Sequence, residues 1–208
     1  MQKLIGPKKI KTAVFISGTG SNLKNLIKFS KTKKSPILIN LIISNTNKAK
    51  GLIYANKFNI KKKILNFKSN KNAEKKILLI TKKNKINLIC LAGFMKILSQ
   101  NFIKKFKGKI INIHPSLLPK YKGLNTHEKA IKNNDKFSGC TVHFVTKKLD
   151  SGKIIMQKKV RITKKENSIS LAKKILKQEH ELYPAAIMKI FDLSQTFAFN
   201  KKSTSFLL

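Results

Sequence analysis

Short apolar runs alternate with stretches of helical period along most of this sequence, and that alternation limits the possible folds more than any other feature. Ala13–Ser17, Ile37–Ile43, Leu88–Leu91 and Ile110–His114 each read as a buried strand. Between them Leu23, Leu26 and Ile27 recur at helical spacing, and further helices are expected near Leu52–Phe58, Glu74–Lys83 and Phe102–Phe106. Strands interleaved with helices need crossover connections, so the expected class is α/β, a mostly parallel twisted sheet flanked by helices. After His114 the pattern changes. Cys140–Val145 and Ile154–Val160 are joined through Asp150-Ser151-Gly152, a connection too short for a crossover, which predicts a C-terminal antiparallel extension. A last helix is expected over about Ile169–Ile190, with Leu171, Ile175, Leu176 and Leu182 on its apolar side and Pro184 kinking or dividing it. Lys61-Lys62-Lys63 reads as a solvated turn.

With 208 residues and 41% hydrophobic content, the chain has material for one full core. The expected organisation is a single domain over 1–208, with its core at about 10–192 and a C-terminal tail at 193–208. The formal charge of +38, from 46 basic and 8 acidic residues, would ordinarily point to a polyanionic partner. Yet Arg161 is the only arginine, whereas reading phosphates and base edges favours the forked guanidinium. Lys, Asn and Ile are enriched together, as AT-rich codons would produce, so no specific nucleic acid is expected. Cys90 and Cys140 stand apart with no zinc spacing near them, which suits a reducing cytoplasm and no metal. The apolar run in MQKLIGPKKIKTAVFISG is too short for a signal peptide, and no segment approaches a membrane span.

Two constellations carry chemistry. Gly18-Thr19-Gly20-Ser21-Asn22 follows a strand and opens a helix, so its amides could surround a phosphate. The third glycine and acidic residue of a dinucleotide site are missing, as is the Walker lysine-serine pair, which leaves a phosphate monoester. A plain tight turn with Ser21 as helix cap fits the same residues. In the strand ending at His114, Asn112 and His114 share one face. A neutral hydrogen-bond donor beside an imidazole suits acyl transfer, where an oxyanion forms and a proton must move. Asp150 could approach that imidazole from a turn that Gly152 sharpens, and its charge is expected to raise the His114 pKa above about 6.5. A structural histidine and a simple turn-forming Asp remain open on spacing alone.

The segments ISGTGSNL, LAGFMKILS, NIHPSLLPKYKGLNTHEKAI, GCTVHFV, LDSGKII and QEHELYP, in this order and spacing from Ile16 to Pro184, resemble phosphoribosylglycinamide formyltransferases. The resemblance implies a Rossmann-like formyltransferase fold and formyl transfer from 10-formyltetrahydrofolate to the amine of a phosphorylated glycinamide ribotide, without a metal. It implies Asn112, His114 and Asp150 as the catalytic set, with His114 as general acid. It further implies Gly20, Ser21, Asn22 and Glu179 as ribotide contacts. The folate would lie along Met95, Lys96, Ile97 and Leu98 and along Thr146, Lys147, Lys148, Leu149 and Asp150, with Asn112 also in reach.

Some positions depart from the family pattern. Lys122-Gly123-Leu124-Asn125 stands where bacterial members usually have Pro-Gly-Leu-His, Asn70-Lys71-Asn72-Ala73 offers no counterpart to a folate-contacting Arg, and Leu176 replaces a polar ribotide contact. These departures bear on affinity more than on reaction type. Methionyl-tRNA formyltransferase is the nearest alternative, but it carries an arginine-glycine-alanine-alanine pattern at this loop and an additional C-terminal β-barrel domain. Formyltetrahydrofolate hydrolase has a second histidine after the catalytic one, where this chain has Pro115. A basic nucleic-acid-binding module would need aromatic platforms, whereas the 13 Phe fall mostly at apolar helix and strand positions.

Overall fold

The computed structural model describes residues 9–203, with side chains for 9–191. Residues 1–8, which open the stretch considered for a signal peptide, and 204–208, the end of the expected tail, lie outside the described residues. Seven strands form one sheet in the order β3-β2-β1-β4-β5-β6-β7. They are β1 (Ile10–Ile16), β2 (Ile37–Ser44), β3 (Lys61–Ile64), β4 (Leu88–Leu91), β5 (Lys109–His114), β6 (Phe137–Phe144) and β7 (Ile154–Arg161). The first five are parallel, while β5 to β6 and β6 to β7 are antiparallel, so the expected class and its extension are both present. The order reverses between β1 and β4, and the carboxyl ends of strands at such a reversal leave a crevice between diverging loops.

Alternation along β1 divides the core in two. Val14 and Ile16 face a cluster with Leu23, Leu26, Leu171 and Ile175, whereas Ala13 and Phe15 face Ile43, Ile77 and Phe102. The helices on the first side are α1 (Ser21–Ser30), α2 (Ile53–Lys57, entered through a tight 3-10 turn at Lys50–Leu52), α5 (Thr126–Lys132) and α6 (Ser168–Ser203); α3 (Asn70–Lys83) and α4 (Gln100–Lys105) supply residues to the second.

Several elements differ from the sequence reading. Lys61-Lys62-Lys63 is the edge strand β3, held by parallel pairing to β2, and all four of its residues are exposed. Lysines on an edge resist pairing with another chain, so a strand can hide in a sequence with no apolar pattern. The short helix α5 has no counterpart among the elements expected from the sequence. Helix α6 runs 36 residues with Pro184 inside it, not divided there and continuing beyond the expected end at Ile190. Pro184 has no amide to give the carbonyl four residues back, that of His180. Asn25 Nδ2 on α1 donates to that carbonyl at 2.5 Å instead, so the helical defect becomes a docking point between α6 and α1.

Candidate active site

A cleft of about 940 Å³ opens at the carboxyl edge of the sheet. Its floor is the end of β5. Asn112 and His114 point into it from one face of that strand, as their spacing requires, while Ile111 and Ile113 pack in the core behind. Antiparallel pairing sets His143 of β6 directly opposite Asn112. The His143 Nδ1–H donates to the Phe144 carbonyl at 2.9 Å, and Asn112 Nδ2 lies 3.3 Å from the Nε2 atom. At most one of the two Asn112 amide hydrogens is engaged by this contact.

Asp150 joins the two histidines. Its Oδ2 lies 3.5 Å from His114 Nδ1, its Oδ1 lies 3.5 Å from His143 Nε2, and the Gly123 amide donates to Oδ2 at 2.9 Å. Burial pushes the Asp150 carboxyl up, but the His143 ring, the Gly123 amide and the charge of His114 together outweigh it and hold the group below the usual carboxylate range. The turn differs from its expected form in one respect. The left-handed conformation falls on Asp150 itself, at φ +43°, and Gly152 is needed because a Cβ there would stand 1.7 Å from the Phe144 carbonyl oxygen.

His114 is 5% exposed, and its Nε2–H donates to the Tyr121 carbonyl at 2.8 Å. Burial pushes its pKa below the ordinary value of 6.5, and although the Tyr121 carbonyl and Asp150 pull it back, the net direction is down. The expected rise is therefore corrected: Asp150 acts in the expected direction, but desolvation of the imidazolium is larger. The balance favours the neutral form of the ring. Its Nδ1, at ion-pair distance from Asp150 with no hydrogen bond, is the nitrogen free to exchange a proton.

One wall is the segment after β4. Met95, Lys96, Ile97 and Leu98 all line the cleft, with Met95 and Ile97 exposed to it and Leu98 sunk into the second core cluster. Polar anchors hold both ends: the Met95 amide donates to Ser17 Oγ at 2.8 Å, and the buried Glu74 accepts from the Ser99 amide at 2.6 Å and its hydroxyl at 2.5 Å. Thr146, Lys147, Lys148 and Leu149 line the cleft beside this wall.

On the opposite side α6 meets α1. Asn22 Nδ2 donates to Glu179 Oε2 at 2.6 Å, and both residues are buried and line the cleft. Burial raises the Glu179 pKa and the Asn22 bond only partly offsets it. The Asn22 Oδ1 atom is buried without a partner. Gly20 and Ser21 stand next to Asn22 but do not line the cleft, and Gly20, at φ +75°, occupies the helix cap position expected for Ser21. A Cβ on Gly20 would lie 2.6 Å from Gly51 Cα, so this loop needs glycine for both conformation and space. The first-turn amides from Ser21 onward have no acceptor within the helix.

Asn112, His114 and Asp150, together with Asn22, Glu179 and both expected folate segments, thus converge on one cleft. Sequence reasoning missed His143, although its place in the alternation of β6 was a usable signal, and it missed His127 and the backbone partners Tyr121 and Gly123. His127 lines the cleft with Nδ1 buried and unpartnered, and burial, then the nearby His114, lowers its pKa. Asn125 takes φ +59° at the start of α5, a conformation that Asn tolerates, and it and Leu176 both line the cleft. Among the described residues no group of three His, Cys, Asp or Glu side chains is arranged to hold a metal ion.

An open crevice at a sheet reversal, floored by an amide, two imidazoles and a carboxylate, defines an acyl-transfer type of site. The family model described as formyl transferase matches residues 10–187, and the chain belongs to that family. Its relatives include proteins named phosphoribosylglycinamide formyltransferase. The enzyme of that name from Haemophilus influenzae is 41% identical over 85% of this chain and 85% of its own length. A crystal structure of the Anaplasma phagocytophilum phosphoribosylglycinamide formyltransferase matches with a TM-score of 0.82 and 41% identity, covering 87% of this chain and 86% of that one. The human trifunctional purine biosynthetic protein adenosine-3 is 41% identical over 88% of this chain, which spans only 18% of that relative's length.

Proposed function

We infer that this protein transfers the formyl group of 10-formyltetrahydrofolate to the amine of 5-phosphoribosylglycinamide, giving the N-formyl ribotide and tetrahydrofolate in de novo purine synthesis. The observation that carries the reading is the position of the Asn112, His114, His143 and Asp150 cluster, between an apolar wall on one side and the α1 entry loop on the other. The amine nitrogen attacks the formyl carbon, and the carbonyl oxygen becomes an oxyanion. Asn112 uses its second amide hydrogen to stabilise that charge. A proton must leave the attacking nitrogen and reach N10 of the folate as the carbon–N10 bond breaks. His114, neutral at rest, takes it on Nδ1 and returns it to the leaving nitrogen, so it serves as base and then acid. Asp150 stabilises the intermediate imidazolium.

The ribotide phosphate sits at the Gly20, Ser21 and Asn22 amides, and Glu179 faces the ribotide. The folate lies along Met95, Lys96, Ile97 and Leu98 and against Thr146, Lys147, Lys148 and Leu149. The protein acts as a single unit in the cytoplasm, which suits two buried free cysteines, with no specific nucleic acid and no membrane as partner. Among the described residues no helix is long and apolar enough to cross a membrane. A competition of acceptors tests the reading: with 10-formyltetrahydrofolate as donor, the ribotide should be formylated and charged initiator tRNA should not. Transfer to the tRNA alone would overturn it.

A further inference from the structure

The QEHELYP motif contains a residue that the reaction above does not use. His180 follows Glu179 on α6 and directs its ring away from the catalytic cluster, toward the entry loop of α1, where its Nε2 lies 3.1 Å from Ser21 Oγ. Its backbone is fixed from the same helix, because Asn25 Nδ2 binds the carbonyl that Pro184 leaves free. One face of α1 thus holds His180 at two points. The loop beside it has unpaired amides, and Asn22 next to Ser21 keeps a buried, unpartnered Oδ1.

We propose that His180 is a positioning residue for the phosphate subsite, changing from hydrogen-bond acceptor to donor toward Ser21 when a phosphate monoester binds. The inference rests on the assignment of the Gly20–Asn22 loop to the ribotide phosphate. A hydroxyl has one hydrogen. In the empty site Ser21 can give it to His180 Nε2. A phosphate dianion brings only acceptors, so Ser21 must turn its hydrogen to the phosphate, and its oxygen is then stabilised only if Nε2 carries a hydrogen. The nearby negative charge favours the imidazolium form of that donor. Binding therefore takes up a proton from solvent, with no covalent bond made or broken except N–H.

The charged groups around His180 do not already meet this need. On α1, Lys24 lies over the Tyr54 ring at 5.8 Å. On α6, Glu179 is bound to Asn22, while Lys177 and Glu181 flank His180 in sequence. Burial alone accounts for the lowered pKa of the free ring, so its protonation is left to the ligand to induce.

The test uses the whole protein with ribose 5-phosphate as probe, above the second phosphate ionisation near about 6. Imidazole and amide NMR are recorded together across a pH series. Expected are shifts of the Gly20, Ser21 and Asn22 amides on binding, and a rise of the His180 pKa by about one unit or more. Loop shifts with an unmoved His180 pKa would overturn the inference while leaving the phosphate loop intact; absence of loop shifts would overturn both. In steady state, His180→Leu should raise the ribotide KM about tenfold with kcat changed far less, and His180→Gln, a permanent donor, should restore affinity and flatten its pH dependence. Equal KM values for the wild type and both variants would also overturn it.

Discussion

At the residue scale the site is governed by competition between burial and charge at His114. Replacing Asp150 by Asn removes a pull toward the protonated ring while nearly preserving shape, so the His114 pKa, already below 6.5, should fall further. NMR titration of the imidazole checks this, and an equal pKa in both proteins would deny Asp150 its role. Asn112→Ala should lower kcat by about a hundredfold through loss of an oxyanion donor, with the pH profile little moved. For the loop, Gly20→Ala forces a side chain into φ +75° and against Gly51. It should cost about 1–2 kcal/mol of stability and raise the ribotide Kd while sparing folate binding, as isothermal titration with each ligand would reveal. Asn112 and His114 were legible in sequence because a strand places residues two apart on one face. The direction of the His114 pKa was not, because it depends on how much water the surrounding chain excludes. Partners supplied by backbone, such as the Tyr121 carbonyl, leave no mark in side-chain identity.

At the element scale, the gap that Pro184 leaves in α6 docks that helix on α1. Asn25→Ala leaves the His180 carbonyl unpaired and should cost about 1–2 kcal/mol. In a Pro184→Ala background the restored amide can satisfy that carbonyl, so the same substitution should cost less. Urea midpoints of the four proteins measure the coupling, and additive losses would refute it. The parallel strands were readable as apolar runs because they are buried on both faces. Strand β3 was not, since it consists of three lysines and Ile64 at the sheet edge and owes its conformation to β2 alone. Helix α5 is seven residues long, too short for a clear helical period, and Pro184 does not divide α6 because the missing hydrogen bond is replaced from another helix.

At the scale of the whole molecule, charge and titration set the conditions of stability. His114, His127 and His180 all have lowered pKa values, with burial the leading cause in each. Below about pH 6.5 the unfolded chain takes up protons that the native rings refuse, so stability present at neutral pH is lost as pH falls through the folded values. Urea midpoints should therefore drop between pH 7 and pH 5. A charge of +38 repels itself, so added salt should raise the melting temperature, and DNA binding should be indifferent to sequence and vanish near physiological ionic strength. Tight, selective binding at that salt would instead mark a selected nucleic-acid surface. The central claim, formyl transfer to the ribotide by the cluster on β5, is tested most directly by tetrahydrofolate release with ribotide as acceptor, in EDTA, for wild type and His114→Ala. The account predicts sustained turnover by the wild type and a loss of about a thousandfold or more in kcat for the variant, with ribotide affinity retained. Equal turnover by both proteins, or a wild type silenced by the chelator, would contradict it.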